Sequence, residues 1–420
     1  MSTLKLSRIA CEFPRPRISD IPATLHDQFA QTSLPLPPKA SVAVAVGSRG
    51  IANLALIVKT VIEQLRTRDI APFIVPAMGS HGGATAQGQE EVLASYDITE
   101  ASMGCPIRSA LDVVELDAPN VSHPVYMDQH AFQADGIVVI NRIKPHTDFH
   151  GPYESGLVKM CVIGLGKERQ AYEIHRHGVY GLKELVPQTA RHILALNKIT
   201  LGIGIVENAY DETAHLEVIP GNEILNREAQ LIRIAHENLP QLPVDKIDIL
   251  GVDRLGKDVS GTGMDTNIIG RIRIPTEVEP ESPSIKAIWV SDLTPASHGN
   301  ATGMGLADVI TERFRSQIDY ETTYTNIVTS GFLERAKQPI VAPTDQSAFE
   351  LCHRAVGPIG LDSLRVIRIR DTLHLGELFV SEAIRKEIES SPNIQVLEGP
   401  LSGFTADGRS IPFPKGTEIT

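Results

Sequence analysis

The sequence predicts an α/β protein with mostly parallel sheets flanked by helices. Three observations carry the prediction: short apolar, strand-like runs alternate with helical patterns, each run ends in a glycine-rich or polar loop, and the pattern restarts in the second half of the chain. In such folds the loops at the carboxyl ends of the strands carry function.

The first element is SVAVAV at 41 to 46, which enters the turn GSRG and then the helical pattern IANLALIVKTVIEQLRTRD. A second run, PFIVPAM from Pro72, ends in GSHGG and gives way to the helical stretch TAQGQEEVLASY. GIVVIN at 136 to 141 ends in the polar loop RIKPHTDFHGPYESG, and ITLGIGIVEN from Ile199 is a further strand. HENLPQLPVDK from His236 reads as a connection, which predicts an N-terminal domain over 1–245 and a C-terminal domain over 246–420. The second half restarts with IDILGVD, the glycine-rich loop GKDVSGTGMDTNIIGR, then IKAIWVSD leading into LTPASHGNATGMG and the helical pattern LADVITERF. RVIRIRD reads as a strand and FVSEAIRKEIES as a helix. A chain of 420 residues exceeds what one core comfortably supports, so two domains with the site in the cleft between them are expected.

A net charge of -12 argues against a nucleic-acid surface, which needs clustered Lys and Arg. No stretch of about 18 apolar residues suggests a membrane span, and the first residues lack a signal-peptide core, so a cytoplasmic protein is expected. Cys11, Cys105, Cys161 and Cys352 form no CxxC pair, which fits buried thiols in a reducing compartment; Cys161 stands out for its nearness to Lys159.

Histidines stand in loops at predicted strand ends: His81, His146, His150 and His298. Arg49, between glycine-flanked residues at the start of a helix, is placed to hold a carboxylate where the helix terminus already favours an anion. The most informative segment, KPHTDFHGPYESGLVKMCVIGLGKERQAYEIHRHG, brings His146, His150, Lys159, His175 and His177 into one stretch. Neutral imidazole suits nickel, zinc, copper or iron, yet no HExxH or comparable set forms an all-protein cage. A metal carried by an organic cofactor fills that gap. GLGKE at 164 to 168 lacks the spacing of a Walker loop, and no GxGxxG follows the first strand, so ATP and NAD readings have no support.

With its arginine loop GSRG, its histidine loop GSHGG, and then PH, SG, a lysine and a histidine in order, the chain resembles the lactate racemase (LarA) family. The spacing of 16 residues from Lys159 to His175 agrees with that family's. The resemblance implies a racemase or epimerase of 2-hydroxy acids that uses a nickel-pincer nucleotide, a pyridinium mononucleotide whose sulfurs and ring carbon grip the metal. It implies His81 and His146 as the acid/base pair, Lys159 as the lysine that can bond the cofactor, His175 as the nickel ligand and Arg49 as the substrate-binding arginine. Ser48, in the arginine loop, is a further expected cofactor contact. The implied mechanism is reversible hydride transfer with a transient keto acid, and the implied partners are a small 2-hydroxy acid and, indirectly, the proteins that make the cofactor.

The chain also departs from that pattern. His146 and Lys159 lie farther apart than in lactate racemases, which leaves His150 as a rival to His146 and His177 as a rival to His175. Val158 precedes the lysine where an arginine is usual, and GSRG replaces a more acidic loop, so a longer hydroxy acid such as a sugar acid is expected in place of lactate. From the second half, Asp265, Asn267, His298 and Asn300 are expected to offer polar substrate contacts. The alternatives are a hydrolase or lyase with a simple metal ion at the same histidines, and a non-catalytic nickel- or nucleotide-binding protein.

Overall fold

The computed structural model describes residues 4–47 and 50–414. It is an α/β protein whose two large sheets are mostly parallel and flanked by helices. The chain divides into two compact units, Pro14–Leu239 and Met1–Phe13 with Pro240–Thr420. The strands in chain order are β1 (Lys5–Cys11), β2 (Ser41–Val46), β3 (Ala71–Pro76), β4 (Val113–Leu116), β5 (Val125–Asp128), β6 (Gly136–Arg142), β7 (Ile199–Glu207), β8 (Thr213–Pro220), β9 (Lys246–Leu255), β10 (Ser284–Leu293), β11 (Val309–Thr311), β12 (Ile340–Ala342), β13 (Val366–Ile369), β14 (Glu377–Ser381) and β15 (Ile394–Ser402).

In the unit Pro14–Leu239 the sheet order is β3-β2-β6-β7-β8, parallel except for the last strand. β2 and β6 are apolar along nearly their whole length because both sheet faces are covered. On one face, Val42, Val44 and Val46 pack with the helix Leu54–Arg66, whose Leu54, Ile57, Val58, Val61, Ile62 and Leu65 recur at helical spacing. Each fully buried aliphatic side chain of this kind contributes about 1.5–3 kcal/mol relative to exposure. The helical segment that begins at Leu157 packs against β6 and β7. β4 and β5 form a separate hairpin.

The strand order places β3 on one side of β2 and β6, β7 on the other. The chain therefore reverses its direction of winding between β2 and β6, which is where the loops leaving the carboxyl ends of neighbouring strands part and leave a crevice. The loops after β2, β3 and β6 are the ones that bear GSRG, GSHGG and KPHTDFHG.

The other unit holds a sheet of order β12-β11-β10-β9-β13-β14-β1-β15, parallel from β12 to β13 and antiparallel beyond. β1, the first strand of the chain, thus belongs to this sheet and not to the sheet that follows it in sequence. The reason is pairing: Leu6 to Ala10 bond to β14 on one side while the same strand bonds β15 on the other. Among the described residues no helix is long and apolar enough to cross a membrane.

Candidate functional site

The loop between β6 and the next helix is closed at its neck by reciprocal backbone bonds between Lys144 and Ser155. Inside it the buried Glu154 carboxylate accepts the His146 N–H at 2.7 Å and the Gly151 N–H at 3.2 Å. It also meets His150 Nδ1 at 3.3 Å and His236 Nε2 at 3.0 Å. Burial alone would raise the pKa of this carboxyl, but the bonds from His150, His236 and the His146 amide outweigh it and hold the group at about 2.

Held this way, the His146 ring stacks on Phe149 with centroids 4.7 Å apart, and its Nε2 lies 3.0 Å from Lys159 Nζ. At Nδ1 the ring meets two groups of one residue, the Asp148 N–H at 3.1 Å and the Asp148 carboxylate at 3.7 Å. The pair serves either tautomer: the amide donates to a bare Nδ1, and the carboxylate faces a protonated one. His146 can accept or release a proton at Nε2 without losing its partner at Nδ1.

Lys159 ends the helical turn Leu157–Lys159, which runs on through the π-helical turn Met160–Gly164. Its start is capped by the buried carboxyl of Glu228, which accepts the Val158 N–H at 2.8 Å. A side chain at Gly156 would put its Cβ 2.6 Å from that carboxyl, so any residue but glycine at the SG step before the lysine would push Glu228 aside. Burial drives Glu228 up to about 8 against the opposing pull of the Val158 and Leu157 amides. Val158, expected to alter the pocket, is fully buried and fills core. Burial also raises the Cys161 thiol well above its usual range, so this cysteine is no nucleophile.

His175 ends the helix Lys167–His175, and its Nδ1–H donates to the Ala171 carbonyl at 2.6 Å. A carbonyl can only accept, so the proton is on Nδ1 and Nε2 carries the lone pair. Although the residue is exposed overall, desolvation of the ring lowers its pKa, with the charge of Lys159 adding to the effect and the Ala171 bond and Asp148 opposing it. A neutral imidazole with one nitrogen committed is what a metal ligand requires. His177 lies at the N-cap of the short helix Gly178–Tyr180.

His81 lies on the loop after β3, which rests on the same helical segment: Gly79 packs against Ile163 and Ala171. The loop turns at Gly82, whose φ of +65° suits glycine. Buried Gln89 donates to the Gly79 and His81 carbonyls at 2.9 and 3.3 Å. Lys167, from GLGKE, pairs with buried Asp128 at 3.0 Å and donates to the Pro76 carbonyl at the end of β3. This lysine braces the histidine loop and holds no phosphate. Ser48 and Arg49 lie outside the described residues; their neighbour Gly47 abuts Asn141 and Met160, the latter adjoining Lys159.

The structure thus brings His146, Lys159, His175 and Asp148 within mutual influence, sets His81 on a loop packed against the same helices, and turns His150 toward Glu154 and His236. Asp148, Glu154, Glu228 and His236 escaped the sequence reading. The spacing of His150 and Glu154 could have flagged one pair, but nothing local links either to His236.

In the other unit the four expected substrate contacts make local turns. Asp265 Oδ1 accepts the Asn267 N–H at 2.9 Å and its side-chain amide at 2.8 Å, capping the turn Thr266–Ile269. Asn300 Oδ1 accepts from the Thr302 N–H and hydroxyl at 3.1 and 2.7 Å, and His298 adopts a left-handed conformation with φ of 47° after the turn Pro295–Ser297.

No protein-family model matches the chain, and no curated protein matches it in sequence. Solved structures do. The chain is similar to the lactate racemase apoprotein from Thermoanaerobacterium thermosaccharolyticum, with a TM-score of 0.50 at 12% identity over 89% of this chain and 99% of that one. It is also similar to a protein from Thermotoga maritima, with a TM-score of 0.47 at 14% identity over 82% of this chain and 91% of the other. At such identities the likeness is one of fold, and the fold it shows is that of the lactate racemase apoprotein.

Proposed function

We propose that this chain is a racemase or epimerase of 2-hydroxy acids that works with a nickel-pincer nucleotide, and that its substrate is longer and more polar than lactate. The observation that carries the reading is the contact of His146 Nε2 with Lys159 Nζ at 3.0 Å beside a His175 ring whose Nδ1 is already committed. One histidine nitrogen and one amine are too few donors for a bare metal ion, but they fit a metal that arrives with its other ligands on an organic carrier. The fold, shared with a lactate racemase apoprotein, supports the same reading.

His175 Nε2 would hold the metal, and Lys159 would hold the cofactor's acyl end. When bound, the cofactor supplies a ring that accepts and returns hydride. His146 takes the substrate hydroxyl proton at Nε2, with Asp148 steadying the ring through Nδ1. His81 does the same for the opposite enantiomer, and Arg49 receives the carboxylate.

A substrate deuterated at its carbinol carbon, given to protein produced with the cofactor-making enzymes, should invert with its deuterium retained. Washout into solvent would indicate proton abstraction and overturn the mechanism. His175→Ala should lose nickel, whereas His146→Ala should keep it and stop turning over.

A further inference from the structure

We propose that His150, Glu154 and His236 form a second metal site, separate from the one assigned to His175, that takes a divalent transition ion of the zinc class and clamps the loop bearing His146.

The ligand atoms come from two elements, the loop after β6 and the last turn of the helix Ile224–Glu237, and all lie within 4.8 Å of one another. The rings approach the carboxylate from different directions, with centroids 5.3 Å apart and planes at 71°. His150 offers Nδ1 to one oxygen and His236 offers Nε2 to the other. Two imidazoles and a carboxylate are the set that leaves zinc a position for water, while all-oxygen sets suit calcium and magnesium.

Burial differs among the three in the sense such a site needs. The Glu154 side chain is 1% exposed, whereas those of His150 and His236 are 37% and 39% exposed, so an ion has an approach from solvent and room to keep a water. A buried carboxylate is costly without a positive partner close by. Both histidine nitrogens already face it, and an ion held between them would supply that positive charge.

The consequence reaches the proposed catalytic residue. The oxygen nearest His150 also accepts the His146 backbone N–H at 2.7 Å, and the Gly151 amide bonds the other oxygen at 3.2 Å. An ion on Glu154 therefore ties the helix end, the loop tip and the His146 backbone to one point. Its role is positional, and it requires neither the cofactor nor turnover.

The test uses full-length chain produced without the cofactor-making enzymes, stripped with chelator and titrated with zinc chloride against a chromophoric competitor. One zinc per chain should bind, with two nitrogen ligands at about 2.0–2.1 Å by X-ray absorption. His236→Ala and His150→Gln should each weaken binding by about tenfold or more, while His175→Ala leaves it unchanged. Circular dichroism identifies any variant that fails to fold, and the other then decides. Absence of stoichiometric zinc, wild-type affinity in a folded His236→Ala or His150→Gln variant, or loss on His175→Ala alone would overturn the site. None of these outcomes bears on the nickel reading, which is measured on cofactor-loaded protein.

Discussion

Two sets of loops at strand ends look alike in the sequence and differ in the structure. GSHGG and KPHTDFHG in one unit, and SGTGMDTN and ASHGNATG in the other, are all glycine-rich and polar. In the second set the side chains expected as substrate contacts bond within a few residues, Asp265 to Asn267 and Asn300 to Thr302, while Ser297 and Thr302 beside them reach Lys257 and Asn326. In the first His146 reaches Lys159, and the groups that hold the two loops bond across longer stretches, Glu154 to His236 and Lys167 to Asp128 and to the end of β3. A side chain that satisfies its own turn is building backbone. One held at a distance by other elements is being positioned, and that is the mark of a site.

The comparison can be broken by substitution. The largest effect should come from His146→Ala, which removes the proposed general acid/base and should lower kcat by at least about 100-fold on the preferred 2-hydroxy acid; a drop under tenfold would return the role to another group. Lys167→Met leaves Asp128 buried without its cation and should cost about 3–5 kcal/mol of stability, read as a lower midpoint in urea. An unchanged midpoint would show that this buried pair does not brace the loop.

The pH dependence of stability tests the two buried glutamates with opposite signs. Glu228 is at about 8 in the fold against an ordinary 4.5, so it binds more protons folded than unfolded between those values, and stability should fall as pH rises from 4.5 to 8. Glu228→Gln keeps an acceptor for Val158 and should flatten that slope. Glu154, at about 2, contributes stability above 4.5 that is lost as pH falls toward 2. Unfolding curves of wild type and Glu228→Gln from pH 4 to 9 would show it; parallel curves would contradict the raised value. The smallest effect belongs to Asp265→Ala, a lost turn cap worth about 1 kcal/mol. A large fall in kcat/KM with stability unchanged would instead restore Asp265 as a substrate contact.

Much of this was legible from residue order. Apolar runs such as SVAVAV and GIVVIN mark strands buried on both faces, and helical spacing in LALIVKTVIEQLR marks the helix that covers them, because both periodicities are properties of the local chain. The loops that leave those strands were legible for the same reason. So was the order of His81, His146, Lys159 and His175 along the chain.

What only the tertiary structure decided is which nitrogen faces which partner. His146 meets Lys159 while His150 turns to His236, and Glu154 is shared between the two. β1 crosses to the sheet of the C-terminal unit, where its edges are paired on both sides. Local propensity cannot specify these, because hydrogen bonds between residues tens of positions apart are chosen by the packing that brings their carriers together, and by the cost of leaving a buried polar group without a partner.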